Sequence, residues 1–325
     1  MLVLLTGAFG NLGMATAEAL IRAGHDVRAL DLDTKLARSR AAQLKKQAAR
    51  AGKNLDVRYG DIRDASFIRH AVLECGAVIH HAAILPPKTE QSPELAQAIN
   101  VGGTECVLRA IEEMRTPARL VFPSSVSVHG PRLHERPPVS AATPTQGTDE
   151  YTRGKIACEE LLRASRIPWV ITRVGVSPDP GASSVTLDTL RMLFRQSPKN
   201  RLEYVHRDDV ARALAAAVSE PEALGKTLML GGGKGCRITH YDLIQTLFDA
   251  MGLGHVPFDA FGDESYYTDW MDSDEAQRIL HFQGGRFEDY QEELKRRLTP
   301  VRLLLRPSRS PLRWAFLSLV RPRQR

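Results

Sequence analysis

Leu2-Val3-Leu4-Leu5-Thr6-Gly7-Ala8-Phe9-Gly10-Asn11-Leu12-Gly13 is the stretch on which the reading of this chain turns. A short apolar run of strand length meets glycines at positions 7, 10 and 13, and an alanine-rich helical pattern over residues 12–23 follows at once. Such a turn needs glycine. The backbone must reverse sharply, approach a pyrophosphate closely and pack helix on strand, while the helix N-terminus offers free N–H groups to the anion. Phe9, Asn11 and Leu12 then line the same turn. Asp31 ends the next expected strand eighteen residues after Gly13. An acid there accepts hydrogen bonds from both hydroxyls of an adenosine ribose and repels a 2′-phosphate, which points to NAD. Lys35, Arg38 and Arg40 lie just beyond it and leave NADP open.

Working outward, strand-like runs at 2–6, 26–31, 56–59, 77–81, 119–123 and 169–173 alternate with helical segments such as 12–23 and 65–73. Strand and helix taking turns predicts an α/β fold with a doubly wound parallel sheet, and strands without polar alternation agree with burial on both faces. After Arg173 the alternation loosens: helices are expected at 185–195, 208–219, 240–251, 273–280 and 288–298, with one strand at 227–230. The expected organisation is a dinucleotide-binding domain over 1–173 and a smaller C-terminal α/β substrate-binding portion over 174–298. Some of its segments return to the main sheet. A basic amphipathic tail over 299–325 completes the chain. The proline-rich stretch 131–144 reads as a surface loop.

The 325 residues, 43% hydrophobic and 25% charged, exclude a fibrous, collagenous or wholly disordered chain. Cys75, Cys106, Cys158 and Cys236 form no C-x-x-C pair, so neither a disulfide framework nor a metal site is suggested and a reducing compartment fits. The net charge of +6 is concentrated: seven arginines and no acid lie between Leu298 and Arg325, leaving the preceding 297 residues near −1. Leu2–Leu5 is too short for a secretory signal, and no apolar run near the end reaches the roughly 20 residues of a spanning helix. A cytoplasmic protein is expected. Leu303-Leu304-Leu305 and Trp314-Ala315-Phe316-Leu317, interleaved with arginines, are expected to lie in the headgroup plane of an anionic inner membrane surface, each Arg adding about 1 kcal/mol. A disordered tail, or a helix docked on a partner subunit, is the competing reading. No nucleic-acid module is present.

Tyr151-Thr152-Arg153-Gly154-Lys155 sets a phenol and an ammonium one helical turn apart on one face. A cation near a phenol favours its ionised form, so the pair suits proton transfer to or from an alcohol or ketone oxygen. Alone the pattern is weak. Upstream, Ser124-Ser125-Val126-Ser127-Val128-His129-Gly130 follows the fifth strand, at the sheet edge where parallel folds bind ligands. A serine there can hold a substrate oxygen beside the phenol, whereas Ser127 reads as a turn residue.

With these motifs in order, the sequence resembles the extended short-chain dehydrogenase/reductase family, which includes NAD-dependent sugar epimerases and dehydratases, over roughly residues 1–298. Gly7, Gly10, Gly13; Asp61-Ile62; His81-Ala82-Ala83; Asn100-Val101-Gly102-Gly103-Thr104; the serine segment; and Tyr151 with Lys155 all match. The resemblance implies a Rossmann-type sheet. It makes Tyr151 the general acid/base, with Lys155 lowering its pKa and holding the nicotinamide ribose, and Ser125 orienting the reacting oxygen. Asp61 and Ile62 would contact the adenine, and His81, Ala82 and Ala83 would line the cofactor. Asn100 would support the helix and a water relay, its alternative being a structural amide. A homodimer through helices at 95–114 and 151–164 is implied as well.

Departures narrow the chemistry. Val126 and Ser127 stand where dehydratases of the family carry an Asp-Glu pair, which disfavours elimination and decarboxylation. His129 replaces the usual tyrosine, Val174 follows Arg173 where sugar-nucleotide epimerases of the family carry a diphosphate-touching asparagine, and Arg201 is one place out of register with their Arg-Asp-Tyr segment. The expectation is therefore an NAD(P)-dependent dehydrogenase or reductase acting on a small-molecule alcohol or ketone. A sugar-nucleotide epimerase and a non-catalytic NAD-binding sensor or scaffold remain the alternatives.

Overall fold

Val3, Leu4, Leu5 and Thr6 have no exposed surface, so the first strand must be covered on both faces. The computed structural model describes residues 1–178, 187–305 and 309–320. In it β1 (Leu2–Thr6), β2 (Asp26–Asp31), β3 (Leu55–Tyr59), β4 (Ala77–His80), β5 (Arg119–Ser125) and β6 (Trp169–Val174) run parallel. Between them lie α1 (Asn11–Arg22), α2 (Lys35–Arg50), α3 (Ala65–Val72), α4 (Lys88–Gln91), α5 (Pro93–Ala96), α6 (Gly102–Glu112) and α7 (Glu150–Ala164). The side chains sort by pleat. Val3, Leu5, Val121 and Val170 join one core, with α1 beneath them, while Leu4, Leu120, Phe122 and Ile171 join the other, with α3, α6 and α7.

Beyond Val174 come α8 (Leu187–Arg195), β7 (Arg201–Glu203), α9 (Arg207–Ala217), β8 (Thr227–Leu230), β9 (Arg237–Thr239), α10 (His240–Met251), α11 (Asp274–Leu280), α12 (Phe287–Leu305) and α13 (Arg309–Val320). Val185 and Thr186 of the expected eighth helix, and Pro180 and Gly181 of the loop before it, lie outside the described residues. Strand β8 returns to the main sheet and pairs in parallel with β6, completing the order β3-β2-β1-β4-β5-β6-β8. Helix α9 returns with it: Val210, Ala211 and Leu214 pack in the core that holds Ala15, Ala17 and Leu20 of α1. Helix α11 joins the same core through Ala276, Ile279 and Leu280, and the remaining segments build a second layer around an antiparallel β7–β9 pair and an aromatic cluster of Phe194, Phe248, Phe261 and Phe316.

The tail corrects one expectation. Residues 309–320 form a helix docked on this chain's own body: Leu317 and Val320 are buried against α8 and α10, and Phe316 meets the Phe248 ring edge-on at 5.4 Å. Phe316 and Leu317 here cover Phe194 and Phe248. Leu303, Trp314 and Leu319 remain exposed. Among the described residues no helix is long and apolar enough to cross a membrane.

Candidate active site

The carboxyl ends of the parallel strands open on a cavity of about 720 Å³. Its floor is the glycine turn. Gly7 has φ +64°, and a Cβ there would come within 2.9 Å of the Ala82 backbone nitrogen. At Gly13 a Cβ would lie 2.1 Å from the Gly7 carbonyl oxygen, so α1 can begin this close to β1 only without side chains. Gly10 caps α1 with no side-chain acceptor, and the first N–H groups of the helix, having no intrahelical partner, face the cavity. Asp31 stands at one end. Its two oxygens accept the backbone N–H groups of Phe9 and Leu32, both at 2.8 Å.

Every residue expected to hold the cofactor or do chemistry reaches the wall of this cavity except Asn100: Gly7, Phe9, Gly10, Asn11, Leu12, Gly13, Asp31, Asp61, Ile62, His81, Ala82, Ala83, Ser125, Tyr151 and Lys155. The Asn100 amide instead accepts from the Ile84 N–H at 2.8 Å and donates to the Ile84 carbonyl at 3.0 Å. It clamps the segment that carries His81 to Leu85 from within a π-helical turn (Gln97–Val101). Asp61 is held by Arg63 and Ile62 fits against Gly103, where a Cβ would meet its Cγ1 at 2.3 Å. His81 bonds to the Thr16 hydroxyl at 3.1 Å, and burial pushes its pKa down to about 3, so the ring is neutral.

Asp149 caps α7 by accepting the Thr152 N–H at 2.7 Å, while the Thr152 hydroxyl accepts the Asp149 N–H in return. That box fixes the first turn and aims Tyr151 and Lys155 inward together. Tyr151 and Ser125 both line the cavity, with Ser125 near enough to oppose the effect of burial on the phenol. Lys155 Nζ donates to the Pro123 carbonyl at 2.7 Å, 4.6 Å from the Phe122 ring centre and 6.0 Å from that of Tyr151. The expected fall in the phenol pKa is not what this geometry gives. Burial pushes Tyr151 up to about 12, against the opposing effect of Ser125, and burial also lowers Lys155. Burial thus holds the phenol in its neutral form.

Alternation along β5 separates the two serines. The Ser124 hydroxyl donates to Glu159 Oε1 at 2.6 Å, two turns along α7 from Tyr151. Glu159, fully buried, also receives Arg173 at 2.8 Å and Arg163 at 2.7 Å. Arg173 in turn donates to His129 Nε2 at 3.2 Å. Burial, helped by Arg173, pushes His129 down to about 4, so it is a neutral acceptor. The sequence reading did not find Glu159; its only signal was a carboxylate eight residues after Tyr151, in a helix expected to be solvated on that side. It also missed the walls at Ile84, Leu85, Ile99, Val174, Gly175 and Ser177. A third omission was the Tyr266–Tyr267 pair, with ring centres 4.1 Å apart, whose second hydroxyl bonds Asp149.

Arg201 is committed elsewhere. Its guanidinium holds both oxygens of Asp269, at 2.7 and 2.8 Å, and donates to the carbonyls of Arg132, Leu133 and Glu135. Among the described residues no cluster of three His, Cys, Asp or Glu could hold a metal ion.

A glycine-floored cavity at the carboxyl edge of a parallel sheet, with a serine, a tyrosine and a lysine on its wall, defines a dinucleotide-dependent oxidoreductase architecture. The profile of the NAD dependent epimerase/dehydratase family matches residues 3–231, and the chain belongs to that family of enzymes. D-Erythronate dehydrogenase of Cupriavidus necator is 30% identical over 204 residues, 58% of this chain and 61% of that protein. UDP-glucose 4-epimerase of Streptomyces lividans is 31% identical over 166 residues, 49% of this chain and 46% of that one. The chain thus spans about half the length of the curated relatives it matches. Solved folds agree along nearly the whole chain. The UDP-glucose-4-epimerase of Stenotrophomonas maltophila, with bound NAD and formylated UDP-arabinopyranose, superposes with a TM-score of 0.75 at 21% identity, covering 95% of this chain and 99% of that one. DesIV, a dTDP-glucose 4,6-dehydratase from Streptomyces venezuelae, gives 0.77 at 22% identity, covering 94% and 99%.

Proposed function

We propose that this protein is a dehydrogenase or reductase that interconverts a secondary alcohol and a ketone on a small, uncharged substrate with NAD. The observation that carries the proposal is that Ser125, Tyr151 and Lys155 line the same cavity as the glycine turn. The residues present suit the dinucleotide. Gly7 and Gly13 leave a cradle that any Cβ would fill, the start of α1 offers N–H groups to a diphosphate, and Asp31 suits the adenosine ribose. Arg38 is paired with Asp33 and Arg40 with the Phe9 carbonyl, which supports NAD over NADP.

NAD, when bound, supplies the hydride acceptor or donor. The chain supplies position and the proton. Ser125 donates to the substrate oxygen and Tyr151, neutral by burial, gives its proton to that oxygen in the reducing direction or recovers it in the oxidising one. Asn100 fixes the His81–Leu85 wall through Ile84, and Lys155, anchored on Pro123, is one turn from the phenol.

The substrate class follows from charge. At the end near Tyr151 the wall is Ile84, Leu85, Ile99, Val174, Gly175 and Ser177, with Lys155 the only cation lining the cavity among the described residues. Arg201 is spent on Asp269. Among the described residues a sugar acid or a nucleotide diphosphate would thus find no cation but Lys155, which is held on the Pro123 carbonyl. The epimerase reading keeps its place through the likeness to UDP-glucose 4-epimerases. Incubating the protein and Tyr151→Phe with NAD and neutral alcohols, sugar acids and UDP-sugars separates the readings. Net NADH from neutral alcohols, lost in the variant, supports the proposal. An isomerised UDP-sugar without net NADH supports the epimerase, and binding without turnover supports a sensor.

Two assembly readings belong with this one. Half-buried Ile156, Ala157 and Leu161 on α7 support a homodimer through α6 and α7, which light scattering would read as twice the monomer mass. Exposed Leu303, Trp314 and Leu319 among the tail arginines support contact with an anionic membrane surface from the cytoplasmic side.

A further inference from the structure

We propose that Arg207 clamps the diphosphate of the dinucleotide and that Asn11 aims it there, an inference that rests on the NAD reading above. Two carboxylates, Asp31 and Asp61, line the cavity, and Lys155 is its only lining cation among the described residues, anchored on Pro123 away from the glycine turn. A diphosphate brings two negative charges to that turn. The start of α1 answers with the equivalent of roughly half a positive charge.

A side chain able to supply the rest comes from the second half of the chain. Arg207 is the first residue of α9, and its Nη1 donates to the Asn11 side-chain oxygen at 3.3 Å. Asn11 is the first residue of α1 and lies on the cavity wall. The same guanidinium makes a long contact with Asp208, its Nε at 3.3 Å, and Nη2 makes no hydrogen bond among the described residues. Its side chain is 31% exposed and reaches the cavity through its contact with the wall residue Asn11. Arg40, the other arginine touching the turn, is occupied by the Phe9 carbonyl. Because α9 packs on α1 through Val210, Ala211 and Leu214, the root of Arg207 is fixed relative to the glycine turn. A planar guanidinium so placed can fork onto two phosphate oxygens.

The test compares ligands with and without a diphosphate. Dissociation constants of NAD and ADP-ribose are measured by calorimetry, and that of adenosine by competition with NADH fluorescence, for the wild type, Arg207→Gln and Arg207→Lys. Arg207→Gln is expected to weaken NAD and ADP-ribose by roughly five- to twenty-fold with adenosine unchanged, and Arg207→Lys to recover part of the loss. Unchanged NAD affinity in Arg207→Gln overturns the clamp, as does equal weakening of adenosine, which would mean that Arg207 only props Asn11. If Arg207→Gln does not fold, Asn11→Ala replaces it, with a two- to three-fold loss expected for NAD and ADP-ribose alone; no loss overturns the proposal. A wild type that binds no NAD overturns the cofactor reading itself.

Discussion

The Ser127 hydroxyl donates to the Ser125 hydroxyl oxygen at 2.7 Å, and the Ser127 N–H adds a second bond to the same oxygen at 3.2 Å. Ser125 therefore has its acceptor capacity filled from behind and its own proton left to aim at a substrate oxygen. Ser125→Ala is expected to lower kcat by roughly a hundredfold or more. Ser127→Ala, which only loosens that aim, should lower it about fivefold. Ser124→Ala should leave kcat near wild type but destabilise the fold by about 1–3 kcal/mol, since buried Glu159 loses a donor. Steady-state kinetics with urea unfolding checks all three; equal kcat losses at 124 and 125 would contradict the assignment.

Burial places the Tyr151 phenol near 12, against about 10 for free tyrosine. The wild-type tyrosinate absorbance, less that of Tyr151→Phe, should then titrate close to 12 in the free protein. The linkage has a definite sign. Between about pH 10 and 12 the unfolded phenol loses a proton that the folded one keeps, so this group's contribution to stability declines as pH rises through that window. A difference titration centred at or below 10 contradicts the burial argument.

Four histidines make the fold sensitive to acid. Burial lowers His80 and His81 to about 3 and His129 and His240 to about 4. Below their unfolded value of about 6.5 the unfolded chain binds protons that these rings refuse. Stability is full above that pH and falls as pH drops toward 4, by about 1.4 kcal/mol per unit for each ring. His240→Gln keeps a donor for the Leu193 carbonyl and should flatten the slope by one proton. Urea midpoints taken between about pH 7 and 5 give the slope, and an unchanged slope in the variant counts against it.

The docked tail separates two roles that sit three residues apart. Leu317→Ala should cost about 2–5 kcal/mol, because the side chain is buried among Phe194, Phe248 and their neighbours. Trp314→Glu should change stability little, since Trp314 is 74% exposed, yet abolish flotation with anionic vesicles. Equal flotation of wild type and Trp314→Glu removes the membrane reading. The point variant is preferable to truncation, which would strip the cover from the aromatic cluster.

Most of the sheet and the catalytic wall were legible because they rest on local signals. The glycines at 7, 10 and 13, the uninterrupted apolar strands, and the Tyr151–Lys155 spacing each report a constraint carried within a few residues of itself. What escaped depends on contacts across long separations. Glu159 reads as a helix-surface acid until β6 brings Arg173 beside it, and Phe316 and Leu317 read as membrane-facing until α8 and α10 claim them. Lys155 shows the same limit at finer scale: its spacing from Tyr151 was readable, its use on the Pro123 carbonyl was not. Asn100 was recognised by motif, but its grip on Ile84 needs the loop after β4 in place.

Strand β8 has a bearing on engineering and on inheritance alike. Residues 227–230 can zip onto β6 only after the polypeptide has travelled out through β7 and come back along α9. A donor segment swapped in at position 174 would bare the flank of β6 and invite strand pairing between molecules. Exchange of specificity between relatives should therefore proceed through replacements inside the outbound and returning excursions, leaving the closing strand where it is.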